Sequence, residues 1–231
     1  MWDNKLKAVT FSFDDGVRQD IKLIEMFDKY GLKSTFNINS GFLGNVDTSG
    51  RKDLRNKVRV DEVAQVYKNH EIAAHSFTHP YLTELSDEEL LYQITADQKI
   101  FSVLCGYDIV GMAYPGGGEK NHNDYVVDFI RKNTSIKYAR TITSTYNFDV
   151  QDDLIEFNPT IHIYEMDKMF ELAHKFIELK TDTPKIFYIW GHSYEYDLHD
   201  TWDKMEDFCK LISGHDDIFY GTNKEVLLKD M

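Results

Sequence analysis

Short apolar runs alternate with amphipathic stretches along the chain. "LKAVTFSF" reads as a strand; "RQDIKLIEMFDKYG" follows with Ile21, Ile24, Phe27 and Tyr30 at helical spacing and Gly31 as a stop. "KSTFNIN" is a second strand. "VDEVAQVYKN" is a short helix and "EIAAHS" a third strand. "SDEELLYQITADQKIFSVLCG" is a long helix, opened by a Ser86–Glu89 capping box and closed by Gly106. The pattern continues as strand "DIVGMAYP", helix "NDYVVDFIRKN", strand "IKYARTI", strand "NPTIHIY", helix "EMDKMFELAHKFIELK", strand "KIFYIWGH" and helix "WDKMEDFCKLISG". "DIFYGT" and "NKEVLLK" end it. The polar stretch from Gly41 to Arg59 is expected to be a surface insertion.

Strand–helix alternation implies a mostly parallel sheet. About seven or eight strands suggest a compact α/β fold, a (β/α) barrel in one domain over residues 1–231, with an open doubly wound sheet as the alternative. No repeat, linker or G-x-G-x-x-G interrupts the alternation, so a dinucleotide site has no support.

Composition narrows the partners. In 231 residues, 39 acidic side chains outweigh 26 basic ones, for a net charge of −13. That balance opposes a nucleic-acid backbone or an anionic membrane as partner but leaves a neutral small molecule open. Cys105 and Cys209 sit in helical, apolar surroundings and form neither a disulfide framework nor a metal motif. The start, "MWDNKLKAV", has no apolar leader region, so a cytoplasmic location is expected, or an extracellular one if a leader precedes this stretch. The pattern does not address oligomeric state.

The chemistry-bearing residues collect just past the strand ends: Asp14 and Asp15, His75, Pro115 with three glycines, Arg140, and His192. In a (β/α) barrel these ends meet on one face. Adjacent carboxylates repel, and "FSFDDG" needs a compensating partner or water. In "HSFTHP", His75 and His79 stand four apart, so one helical turn would bring both imidazoles to one side. Two imidazoles and one carboxylate suit Zn²⁺ or a similar divalent ion with an open position; an ordinary polar turn is the plain alternative.

"FSFDDG", "HSFTHP" and a late strand ending in histidine resemble the polysaccharide deacetylases of carbohydrate esterase family four, over nearly the whole chain. The resemblance implies a distorted (β/α) barrel and a metal-dependent hydrolase that removes N- or O-linked acetyl groups from a carbohydrate. It implies Asp14 as the general base, and Asp15, His75 and His79 as holders of one divalent ion, Zn²⁺ with Co²⁺ or Ni²⁺ as alternatives. Strand alternation would leave only one of the two aspartates facing the ion. It implies His192 as the general acid, and a substrate pocket formed with Pro115, Gly116 and Trp190. The first motif carries Ser12 where the family has threonine. In the third, R-x-P-Y-G, "AYPGGG" puts Ala113 in place of the arginine and Gly116 in place of the aromatic. The fourth motif has no match; "TSTYNFD" occupies the region.

The arginine lost at position 113 pairs with the catalytic aspartate in the family. Arg140, on the next strand, is expected to supply the cation as a two-bond fork; a surface or strand-capping arginine is the alternative. Trp190 can wall the pocket or serve as a core aromatic, and Glu195 can orient His192 or remain a solvated loop acid. His162 reads as structural, and His70, His122, His174, His199 and His215 as surface residues. A hydrolase of non-sugar C–N bonds and an inactive sugar-binding domain stay as rival readings.

Overall fold

The computed structural model describes residues 2–228. The described residues form one sheet with strands β1 (Lys7–Asp14), β2 (Ser34–Ile38), β3 (Glu71–Ala74), β4 (Gly111–Ala113), β5 (Tyr138–Arg140), β6 (Ile161–His162), β7 (Lys185–Gly191) and β8 (Ile218–Tyr220). The order is β5-β4-β3-β2-β1-β7-β6, all paired in parallel, with β8 on the lower half of β1 below the start of β2. Residue 157 bridges to Arg140 on the β5 edge, and the same segment runs on into β6, which pairs with β7. The sheet thus curls into a distorted (β/α) barrel, as expected.

Helices α1 (Gln19–Tyr30), α2 (Val63–Val66), α3 (Asp87–Cys105), α4 (Asp124–Asn133), α5 (Met166–Glu178), α6 (Glu195–His199), α7 (Trp202–Ile212) and α8 (Asn223–Leu227) complete the chain. The expected stops hold: Gly31 and Gly106 are left-handed, and Ser86 with Glu89 forms the capping box of α3. Lys229, the end of the "NKEVLLK" stretch, lies outside the described residues. Helix α6, absent from the sequence expectation, is only five residues long, and its periodicity is too short to read. Among the described residues no helix is long and apolar enough to cross a membrane. Both cysteines are unpaired, as expected.

Strand β1 is buried along all its length. Its alternation sorts two environments. Val9, Phe11 and Phe13 enter the core under the helices, where Phe11 meets Phe27 at 4.7 Å and Phe208 edge-on at 6.4 Å. Thr10, Ser12 and Asp14 join polar networks instead. At the N-terminal end of the strands, Thr10 donates to Asn223, and Glu71 accepts from Thr35 and Tyr138. Buried polar groups are tolerated there because each finds partners.

Two sequence expectations fail on tertiary grounds. The 41–59 segment is no simple surface insertion: Val58 is fully buried, its N–H donates to the Gly16 carbonyl, and Lys57 pairs antiparallel with Val17. His70 is buried rather than exposed, its Nδ1 accepting from the Ser34 N–H between the Phe27 and Phe36 rings. A local pattern carries no signal of either packing.

Asp20, in the first turn of α1, ties that helix to the end of β7. It is fully buried and accepts from Ser193 Oγ at 2.5 Å and from the Tyr67 hydroxyl at 2.8 Å. Burial outweighs both hydrogen bonds and pushes its carboxyl up to about 7. A raised folded-state value favours the fold while the group is protonated, and that advantage is lost as pH rises through about 7. Asp20→Asn is therefore expected to gain stability relative to the parent between pH 5 and pH 8. Urea unfolding of both proteins across that range checks this, and a pH-independent difference would contradict it.

Candidate active site

A cavity of about 810 Å³ opens at the C-terminal ends of the strands, within the size range of small-molecule sites. Its lining includes Asp14, Asp15, His75, His79, Gly116, Trp190 and His192, gathering sequence candidates from four separate strand ends. Pro115 is not among the lining residues: it is buried, and Tyr114 and Gly117 line the cavity beside Gly116. Gly116 has φ 78°, and the Tyr81 ring lies 2.6 Å from where its Cβ would stand, so the family's aromatic could not occupy this turn unchanged.

The two aspartates do not follow strand alternation. Asp14 ends β1, but Asp15 leaves the strand at φ 82°, which brings its carboxylate to the same cavity. Gly16 continues the left-handed turn at φ 62°, and a Cβ there would meet Ile38 Cγ2 at 2.4 Å. A side chain at this position would clash, so glycine follows the acids.

His75 and His79 converge without a helix. Ser76 at φ 64° and His79 at φ 57° bend the loop so that the imidazole rings sit 4.9 Å apart. Asn39 clamps the bend by donating to the carbonyls of His75 and Ser76, while Asp97 accepts the His75 N–H. His75 Nδ1 donates to the Ala113 carbonyl at 2.9 Å, which leaves the Nε2 lone pair for the site. One donor atom each from Asp15, His75 and His79 lies within 4.8 Å of the others. This donor set, with one tautomer already selected, fits a divalent ion. Burial lowers the His75 value to about 4, so its nitrogen is free of a proton at neutral pH.

Arg140 is fully buried and reaches Asp14. Its Nη2 donates to Asp14 Oδ2, its Nε to Ser12 Oγ at 3.2 Å, and its Nη1 to the Thr141 carbonyl at 2.9 Å. Arg140 is the register partner of Ala113 across the β4–β5 pair, so the cation enters from the residue beside the position where the family keeps it. The expected fork is not formed: one nitrogen holds the carboxylate, and the second turns to Ser12. Asn37 closes the circuit by donating to both Ser12 Oγ and Asp14 Oδ1, each at 2.8 Å. Trp190 lies 4.2 Å beneath the guanidinium, so it is both wall and support. Burial pushes the Asp14 carboxyl up, but Arg140, His75 and His192 outweigh it and hold it below its ordinary value.

His192 Nδ1 is 2.9 Å from Glu195 Oε1, the first residue of α6. Of the two readings of Glu195, the orienting one matches this contact. Burial pulls the His192 value down, yet Glu195, Asp15 and Asp14 carry it above the ordinary histidine value. His162 also lines the cavity, edge-on to Trp190 at 4.3 Å and 3.6 Å from Glu195. From the sequence alone it reads as structural, and its position at a strand end is the one available signal. Its Nδ1 accepts from the Tyr164 N–H, so Nε2 carries the proton and faces Glu195, which disfavours a second ion at His162, His192 and Glu195. Arg55, from the 41–59 segment, lines the same cavity and lies 3.8 Å over the Tyr194 ring.

The family model for polysaccharide deacetylase matches residues 3–135. The chain belongs to the polysaccharide deacetylase family. It shares the fold of the peptidoglycan deacetylase PdaC from Bacillus subtilis at 18% identity, a TM-score of 0.57, and 97% and 91% coverage of the two chains. A family 4 carbohydrate esterase from Streptomyces lividans, solved with acetate, aligns at 12% identity and TM-score 0.57 over 94% and 92%. The Xyl-CE4 domain of a multidomain xylanase from the hindgut metagenome of Trinervitermes trinervoides aligns at 15% identity and TM-score 0.60 over 96% and 90%. No curated protein matches the chain.

Within this deacetylase fold, removing Arg140 would strand the buried Asp14 charge. Arg140→Met is expected to destabilise the protein by about 3–5 kcal/mol at neutral pH. Adding Asp14→Asn should recover part of that loss in a double-mutant cycle. Urea denaturation measures both, and a loss well below about 1 kcal/mol would mean that the pair is not held as described.

Proposed function

We propose that this protein is a metal-dependent hydrolase that removes acetyl groups from a carbohydrate, releasing acetate and the free amine or alcohol. The observation that carries this reading is the meeting of Asp14, the Asp15–His75–His79 donor set and His192 in one cavity of a family member.

Asp15, His75 and His79 would hold the ion. When bound, a divalent cation supplies a Lewis acid for the acetyl carbonyl and raises the acidity of water. Asp14 receives the proton of the attacking water at its carboxylate. Arg140 keeps that carboxylate ionised and Asn37 fixes its other oxygen, so the base stands ready without rotating. The Gly116 turn offers a backbone N–H to the developing oxyanion. His192, its Nδ1 engaged by Glu195, gives a proton from Nε2 to the leaving group. Trp190, Tyr194 and Ile142 shield the reacting atoms from bulk water. Nothing in this sequence of steps needs a covalent enzyme intermediate.

The rival reading, a hydrolase of non-sugar C–N bonds, is favoured by an active site without the arginine that Ala113 replaces. Arg140 against Asp14 supplies that cation, which favours the deacetylase reading. Acetate release from an N-acetylated amino-sugar oligomer and from an O-acetylated glycan, with a cyclic imide as comparison, tests the assignment. Turnover of the imide alone would overturn it.

Asp14→Asn should keep the metal and lose about a hundred- to ten-thousand-fold in kcat; near-parent turnover would require another base. Metal content of Asp15→Ala and His75→Ala should fall sharply. For His192, the acid form is the active one, so activity is lost as pH rises through its value. Glu195→Gln removes a contact that raises that value, and the alkaline limb of kcat/KM should move to lower pH. An unmoved limb would separate Glu195 from the acid.

A further inference from the structure

The Asp15 carboxylate has a neighbour that no catalytic role uses. Lys57 Nζ lies 3.8 Å from Asp15 Oδ1, the oxygen that is also 3.8 Å from His79 Nε2. The ammonium donates to the Asp15 carbonyl at 2.7 Å, is largely shielded from solvent, and has the Phe42 ring 5.9 Å away. Its backbone is locked beside the aspartate turn. Lys57 bridges to Val17, Val58 N–H donates to the Gly16 carbonyl, and Arg18 N–H donates to the Asn56 carbonyl. A lysine on a free surface loop could swing away from an arriving cation. This one is held by the same single bridge and backbone hydrogen bonds that shape the turn.

We infer that Lys57 is an internal counter-cation for Asp15, which sustains the ion-free site and weakens the hold of Asp15, His75 and His79 on a divalent ion. This rests on the metal reading above. Two effects oppose each other. The hydrogen bond from Nζ to the Asp15 carbonyl supports the left-handed turn and so favours the ligand geometry. The ammonium charge repels a doubly charged ion bound at Asp15, and solvent reaches the Lys57–Asp15 contact only slightly. The charge acts on the ion directly and at short range, whereas the carbonyl hydrogen bond is one of several contacts holding the turn, so repulsion dominates. The consequence is a site that loads and releases its ion readily, with activity set by the metal supplied.

The test titrates metal-free protein with Zn²⁺ by calorimetry, comparing the parent with Lys57→Gln, Lys57→Met and Lys57→Arg. Lys57→Gln removes the charge and keeps a donor for the Asp15 carbonyl. It should bind Zn²⁺ about tenfold more tightly or better, while Lys57→Arg stays near the parent. Melting of the metal-free proteins gives a second readout: Lys57→Gln and Lys57→Met should melt lower than the parent without metal and show a larger rise with it. Parent-like or weaker Zn²⁺ binding by both neutral variants, with an unchanged rise in melting temperature, would overturn the role of Lys57. A parent that binds no Zn²⁺, or an Asp15→Ala variant that binds it equally well, would instead overturn the metal reading on which it rests.

Discussion

The ion pair between Asp14 and Arg140 is the constraint around which the upper half of this barrel is arranged. Both side chains are almost wholly buried, and an isolated charge at that depth would be severely destabilising. Each polar neighbour answers that problem. Ser12 and Asn37 complete a closed circuit of hydrogen bonds, and Trp190 lays its ring against the guanidinium. Strands β1, β2, β5 and β7 therefore meet through one charge pair, and their register places the reactive groups. The pairing of Ala113 with Arg140 shows how a cation can change its strand and keep its target, because adjacent parallel strands deliver their residues to the same end.

A second layer of contacts holds backbone rather than charge. The left-handed residues Asp15, Ser76 and His79 all belong to the proposed ion-binding set or adjoin it. Such conformations persist where neighbouring structure over-determines them. Asn39 and Asp97 grip the His75–Ser76 bend, and Lys57 grips the Asp15 carbonyl. The cost of these bends is met before any substrate arrives, which is the meaning of a preorganised site.

Two of the four histidines that line the cavity, His75 and His162, show how the same residue type acquires different roles. His75 donates from Nδ1 to a carbonyl and offers Nε2 to the site. His162 accepts at Nδ1 from a backbone N–H, so its Nε2 carries a proton. The partner of one nitrogen decides what the other can do.

Read from residues alone, the alternation of strands and helices points to a parallel α/β fold, a (β/α) barrel or an open doubly wound sheet, since the two periodicities are local properties of the chain. Helix stops at Gly31 and Gly106 and the capping box at Ser86 were equally legible, because caps act within one turn. The motifs "FSFDDG" and "HSFTHP" announced the acids and imidazoles, and the order of strand ends brought Arg140 into view. What lay beyond reach was anything set by contacts between distant segments. These include the looped rather than helical convergence of His75 and His79, the single contact of Arg140 in place of a fork, and the swing of Asp15 to the side of Asp14. They also include the burial of His70, the entry of His162 into the cavity, and the return of the 41–59 segment to place Lys57 and Arg55 beside the site. Each depends on where a loop closes in space, and loop closure is governed by the packing that awaits it, which a local hydrophobic pattern does not encode.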